Sequence, residues 1–115
     1  MREGLPVVVF VTFPSMEVAR SVSNELVAHR LAACVNLLPG AESIYRWQGK
    51  VESTAEVVGL VKTTTGNVEA LKDKYLSLHP YEVAEFLILD TSGGSAAYLD
   101  WVRSSVGEND RGGEI

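Results

Sequence analysis

Apolar positions change their spacing several times along the chain, and each change marks an element. Pro6-Val7-Val8-Val9-Phe10-Val11 is continuously apolar and β-branched, the pattern of a central strand covered on both faces. Pro14-Ser15 breaks it, and Ser15 is a good N-cap. Val18, Val22 and Leu26 then recur at helical spacing, with Ala19, Ala28 and Leu31 near the same face, which predicts an amphipathic helix from about Met16 to about Leu31. Ala33 to Leu38 returns to strand composition, Pro39-Gly40 interrupts it with a bend or bulge, and Ser43 to Trp47 resumes it.

Gln48-Gly49-Lys50 between Trp47 and Val51 predicts a hairpin turn. The return strand runs from Val51 to about Thr63, polar as far as Glu56 and apolar from Val57 to Val61. Arms this long exceed the usual five or six residues, so the hairpin should project beyond its own sheet, where a neighbouring subunit is the natural cover. Thr63 to Asn67 supplies turn and cap chemistry, and Val68, Leu71, Tyr75 and Leu78 define a second amphipathic helix. His79-Pro80 ends it, because proline disfavours helical geometry in the residue before it. Phe86 to Leu89 is a fourth strand, and Ser95 caps a last helix carrying Leu99, Val102 and Val106 on one face. From Gly107 onward the chain is Gly-rich and charged without periodicity, so residues 107–115 are expected to be a disordered tail to a single domain over residues 1–106. The order predicts an α+β, ferredoxin-like βαββαβ fold with an extra C-terminal helix and a long projecting hairpin between the second and third strands.

Composition narrows the partners. A chain of 115 residues with 46% hydrophobic and 22% charged residues is an ordinary globular domain. A net charge of −5 argues against nucleic acid as a partner. The longest apolar run is strand-sized, which argues against a membrane span. The first strand starts too soon to leave room for a signal peptide, and one cysteine fits a reducing compartment, so the expected location is cytoplasmic. The densest chemistry is His79-Pro80-Tyr81-Glu82 with Glu85 close behind: an imidazole, a phenol and two carboxylates at the corner between a helix and a strand.

Four separated segments resemble the CutA family, the divalent-cation tolerance proteins. They are Arg30-Leu31-Ala32-Ala33-Cys34-Val35-Asn36, Ser43 to Lys50, Glu56 with Leu60-Val61-Lys62-Thr63, and His79 to Glu85. The resemblance covers about Val7 to Val106. It implies a ferredoxin-like fold assembled as a tight homotrimer, with each long hairpin reaching into its neighbour. It also implies a link to copper and other divalent metals, and no established catalytic reaction. By the resemblance, Cys34 and His79 are the metal candidates. Lys62, Tyr45 and Trp47 match positions lining an intersubunit cleft, and Glu85 closes the His-Pro-Tyr motif. Val11 and Leu78 stand where some members carry a further cysteine and histidine, and Ala84 replaces the usual proline.

The residues themselves set bounds on this. Cys34 in a strand also suits a small buried apolar residue, and His29 at a helix end suits a C-terminal cation position. No CxxC, HxH or HExxH spacing occurs, so copper or another divalent metal is expected to bind weakly to moderately. Lys62, pointing into an interchain cleft with Glu85, His79 and Tyr45, would suit a small anion or a metal-linked ligand. An alternative is a ligand-sensing regulatory trimer resembling the PII signalling proteins, although the acidic, Arg-poor hairpin tip lacks a basic nucleotide loop. An acylphosphatase-like hydrolase is excluded, because Thr12-Phe13-Pro14-Ser15 supplies no arginine for phosphate.

Overall fold

The computed structural model describes residues 4–107. All of the expected tail except Gly107 lies outside the described residues. Strands β1 (Pro6–Phe13), β2 (Cys34–Trp47), β3 (Lys50–Thr64) and β4 (Phe86–Asp90) form one antiparallel sheet in the order β2-β3-β1-β4. Helix α1 (Met16–Ala28) follows β1, α2 (Val68–Leu78) follows β3, and α3 (Ala96–Ser105) ends the domain. This is the βαββαβ order with one added helix.

β1 lies between β3 and β4, and its alternation sorts its side chains onto two faces. Val9, Val11 and Phe13 are fully buried with Ala19, Val22 and Leu26 of α1 and Leu71 and Tyr75 of α2. Gly59 makes that contact possible: a Cβ there would lie 2.8 Å from Val11 Cγ2 and 2.9 Å from Phe13 Cε2, so a side chain would push both out of place. Val8 and Phe10, on the opposite face, are only half-buried, and their neighbours Leu87 and Leu89 on β4 are exposed. The apolar run expected to be covered on both faces is therefore fully covered on one. α3 closes the end of the sheet where β1 begins, through Val102 and Val106 against Ala33 and through Arg103, whose Nε donates to the Gly4 carbonyl at 2.9 Å.

α1 begins where expected, with the Ser15 hydroxyl accepting from the Val18 N–H at 3.2 Å. It ends at Ala28 rather than Leu31. Arg30 takes φ 59°, and the turn sends the N–H groups of both Leu31 and Ala32 back to the Leu26 carbonyl. Leu31 thus packs on the core from a turn.

The hairpin arms are 14 and 15 residues long, and β1 pairs with β3 only from Val57 to Thr64. The outer part of β3, from Lys50 to Glu56, has β2 as its one strand neighbour. The molecule is consequently elongated, 49 × 28 × 23 Å. Gln48 and Gly49 form the two-residue turn with φ 52° and 82°, the positive values that a type I′ turn requires. A bulge at Pro39-Gly40 interrupts the register, so that Leu38 faces Val58 but Ala41 faces Glu56.

Candidate functional site

His79 caps the C-terminus of α2 in extended geometry, as Pro80 demands. Its ring turns inward rather than presenting itself at the corner, and is only 7% exposed. It stacks on Phe13 at 5.7 Å and leans against Tyr75 at 5.1 Å and Tyr81 at 4.8 Å. Nε2 lies 2.8 Å from the Thr12 carbonyl, and Nδ1 lies 3.1 Å from the Tyr81 N–H. A carbonyl can only accept and an N–H can only donate, so the ring is the neutral Nε2–H tautomer. Both nitrogens are engaged.

Tyr75 continues this buried cluster. Its hydroxyl lies 2.8 Å from the Glu85 carbonyl and 3.3 Å from that of Thr12. Burial, reinforced by the Glu85 charge, holds the phenol well above its ordinary ionisation range.

A cavity of about 420 Å³ opens beside the cluster, on the sheet face that α1 and α2 leave uncovered. Its lining includes Ser43, Tyr45 and Trp47 of β2, Glu56 of β3, and Tyr81 and Glu85 of the loop before β4. Glu56 is its organising group. At 9% exposure, it accepts hydrogen bonds from the Ser43 hydroxyl at 2.6 Å and the Tyr81 hydroxyl at 3.0 Å. Burial, followed by that hydrogen bond and the Glu56 charge, pushes the Tyr81 phenol up to about 12, so it remains a neutral donor.

The predicted site residues divide into three groups. Tyr45, Trp47 and Glu85 meet in the cavity. His79 sits behind it, in the core cluster. Cys34 and Lys62 are directly opposite each other at the far end of β3, where the Lys62 ammonium donates to the Asn36 side-chain oxygen. Lys62 is six residues along β3 from Glu56, about 20 Å at strand rise. Within one chain, Lys62 does not join Tyr45 and Glu85, and Cys34 does not approach His79. Cys34 is a half-buried free thiol. Among the described residues no three His, Cys, Asp or Glu side chains are grouped to hold a metal ion. Sequence reasoning had not singled out Ser43 and Glu56 for the site. The available signal was the carboxylate of Glu56 immediately before the apolar run of β3.

Residues 7–105 match the family model described as CutA1 divalent ion tolerance protein. The chain belongs to the CutA1 family. It is 51% identical over 100 residues to the divalent-cation tolerance protein CutA of Thermus thermophilus, covering 87% of this chain and 97% of that one. Human protein CutA is 49% identical over 94 residues, covering 82% of this chain but 52% of the human protein, so this chain spans about half of that relative. The solved structure of the Thermus thermophilus CutA1 superposes with a TM-score of 0.88 at 50% identity, covering 90% of this chain and 100% of that one. The CutA1 structure from Oryza sativa gives 0.87 at 38% identity, covering 90% and 95%. The fold is therefore that of CutA1 proteins. These relatives are named for ion tolerance or simply as CutA, not for a reaction. No helix among the described residues is long and apolar enough to cross a membrane.

Proposed function

We propose that this CutA1 chain serves divalent-cation tolerance as a cytoplasmic homotrimer that binds copper weakly to moderately and catalyses no reaction. Membership of a family named for divalent ion tolerance supports the cation link. The bare apolar hairpin, with Ile44 70% and Val51 68% exposed, supports assembly, because surface of this kind is normally covered by a partner. The metal contact rests first on the free Cys34 thiol, a soft donor suited to copper(I). His79 can contribute only if Nδ1 gives up the Tyr81 N–H, which weakens binding by the strength of that hydrogen bond.

The test is titration of metal-free protein with copper(I) and copper(II), comparing wild type, Cys34→Ser, His79→Ala and the double variant, with circular dichroism as a check on folding. Cys34→Ser is expected to lower copper(I) affinity about tenfold or more, and affinity falls between neutral pH and about pH 5 as protons compete for the donors. Equal uptake by wild type and the folded double variant would overturn the metal assignment.

A second reading, a ligand-sensing trimer resembling the PII signalling proteins, draws support from the cavity beside Glu56, whose volume suits a small molecule.

A further inference from the structure

We propose that the groove between α1 and β2 binds a small carboxylate with a short aliphatic arm, the acid held by Arg20, Ser23 and Asn24 and the arm by Val27, Val35 and Leu37. The site is separate from Cys34, His79 and the cavity beside Glu56, so the inference is independent of both functional readings above.

A hydroxyl without a partner carries the inference. Ser23 is 7% exposed and lies with Ala19, Val22 and Leu26 on the buried side of α1. A helical serine commonly bonds back to the carbonyl one turn earlier, yet the Ser23 hydroxyl has no hydrogen-bond partner among the described residues. Leaving a buried polar group unpaired is costly. This one lines a groove of about 220 Å³. Arg20, one turn earlier on the same face, is exposed and joins no ion pair among the described residues. The Asn24 side-chain amide donates to the Arg20 carbonyl at 2.8 Å, and its second N–H remains available. Guanidinium, hydroxyl and amide therefore supply donors within about one helical turn, and no acid lines the groove.

The other end is apolar. Val27 follows Arg20 by seven residues on that face, about 10 Å at helix rise. On the strand side, Val35 and Leu37 turn towards the helices, opposite Val61 and Gly59, while Cys34 and Asn36 alternate to the open side of the sheet. A groove polar at one end and apolar at the other suits an amphiphile better than an inorganic ion, and a planar carboxylate matches the guanidinium fork. Its volume is several times the roughly 30 Å³ of one water but below the roughly 300 Å³ at which drug-sized sites begin, which points to a short arm. Ile44, Trp47 and Val51, the exposed apolar residues of the outer hairpin, lie beyond the Pro39-Gly40 bulge, whereas the groove uses the inner half of β2. β2 is nevertheless the edge strand of the chain's own sheet, so binding has to be measured on the assembled protein.

The experiment uses the 115-residue chain in its native assembly, with EDTA present, and follows isotope-labelled valine and leucine methyl groups by NMR. Isovalerate, its neutral amide and inorganic phosphate are the probes. Isovalerate is expected to saturate shifts centred on Val27, Val35 and Leu37, at least about tenfold tighter than the amide, with phosphate weaker than isovalerate. Ser23→Ala should weaken isovalerate about threefold to tenfold. Without ligand the same variant should unfold at an unchanged or higher denaturant midpoint, because alanine removes an unpaired hydroxyl and favours the helix. Arg20→Gln should weaken binding about tenfold and remove its salt dependence. Equal affinity for the amide overturns the anion assignment, and phosphate binding as tight as isovalerate overturns the apolar arm. Full affinity in Ser23→Ala, or a loss of its stability without ligand, overturns the role given to the hydroxyl. Absence of saturation, or shifts centred on the cavity beside Glu56, overturns the site and leaves the groove to water or to a neighbouring copy.

Discussion

β3 passes through two environments in 15 residues. From Val57 to Thr64 its side chains alternate between buried and half-buried, with strand neighbours on both sides and helices over one face. From Lys50 to Ala55 the same strand is almost wholly exposed, with β2 as its single neighbour. Both halves have sound strand geometry, and the hairpin ladder is continuous apart from the bulge. Local backbone pairing therefore does not explain why the outer half carries Ile44, Tyr45, Trp47 and Val51. The inner half is stabilised by packing within the chain, whereas the outer half presents apolar surface that its own chain never covers. Glu56 stands at the boundary, and the cavity opens there.

The largest effect should come from the inner half. Tyr75→Ala removes a fully buried ring and its hydroxyl contacts, and should cost about 3–5 kcal/mol in denaturant unfolding. A loss as small as that of an exposed substitution would break the contrast. In the outer half, Trp47→Ala should leave the chain folded but weaken assembly by about 2–4 kcal/mol if the ring anchors the trimer contact. Light scattering reads this as concentration-dependent dissociation from three times the 12.5 kDa chain mass, and a wild-type protein of one chain mass removes the trimer proposal outright.

The boundary has its own signature in alkali. Tyr81 is raised from 10.0 in the unfolded chain to about 12, so the folded state holds its proton more tightly. Its stabilising contribution is complete below pH 10.0 and is lost as pH rises towards about 12. Tyr81→Phe should lower stability at neutral pH through the lost Glu56 hydrogen bond and flatten the decline of melting temperature across that window. An unchanged slope would show the phenol to be solvated. The smallest effect lies at the hairpin tip, where Gln48→Asn better suits the positive φ and should add roughly 0.5 kcal/mol.

The inner half was the more legible in the sequence. Val18, Val22 and Leu26 announced α1, and the Pro39-Gly40 interruption foretold the bulge. The end of α1 was misjudged because Leu31 continues the helical apolar spacing while reaching the core through a left-handed residue, Arg30. Site residues were harder. Tyr45, Trp47 and Glu85 were brought together by the fold, but sequence proximity could not reveal that His79 turns its ring inward or that Lys62 lies far along β3 from the cavity. The first depends on the three-dimensional direction of a side chain and the second on where along the strand the cavity opens, and a one-dimensional pattern carries neither. Glu56 looked like one more polar residue of an outer strand until the bonds from Ser43 and Tyr81 gave it a place.

The Pro39-Gly40 bulge has a consequence for the chemistry of the cavity. Before it, even-numbered residues of β2 sit opposite even-numbered residues of β3, as Asn36 does with Leu60. After it, odd meets even, as Ser43 does with Thr54 and Tyr45 with Glu52. This change of parity puts the hydroxyl, the phenol and the indole of Ser43, Tyr45 and Trp47 on the side of Glu56, and sends Glu42, Ile44 and Arg46 to the other. Were Pro39 and Gly40 both paired in the ladder, so that the register before the bulge ran on unbroken, the two sets would exchange sides. The cavity would then be walled by an acid, an aliphatic chain and a guanidinium, with the same sequence and a different ligand chemistry.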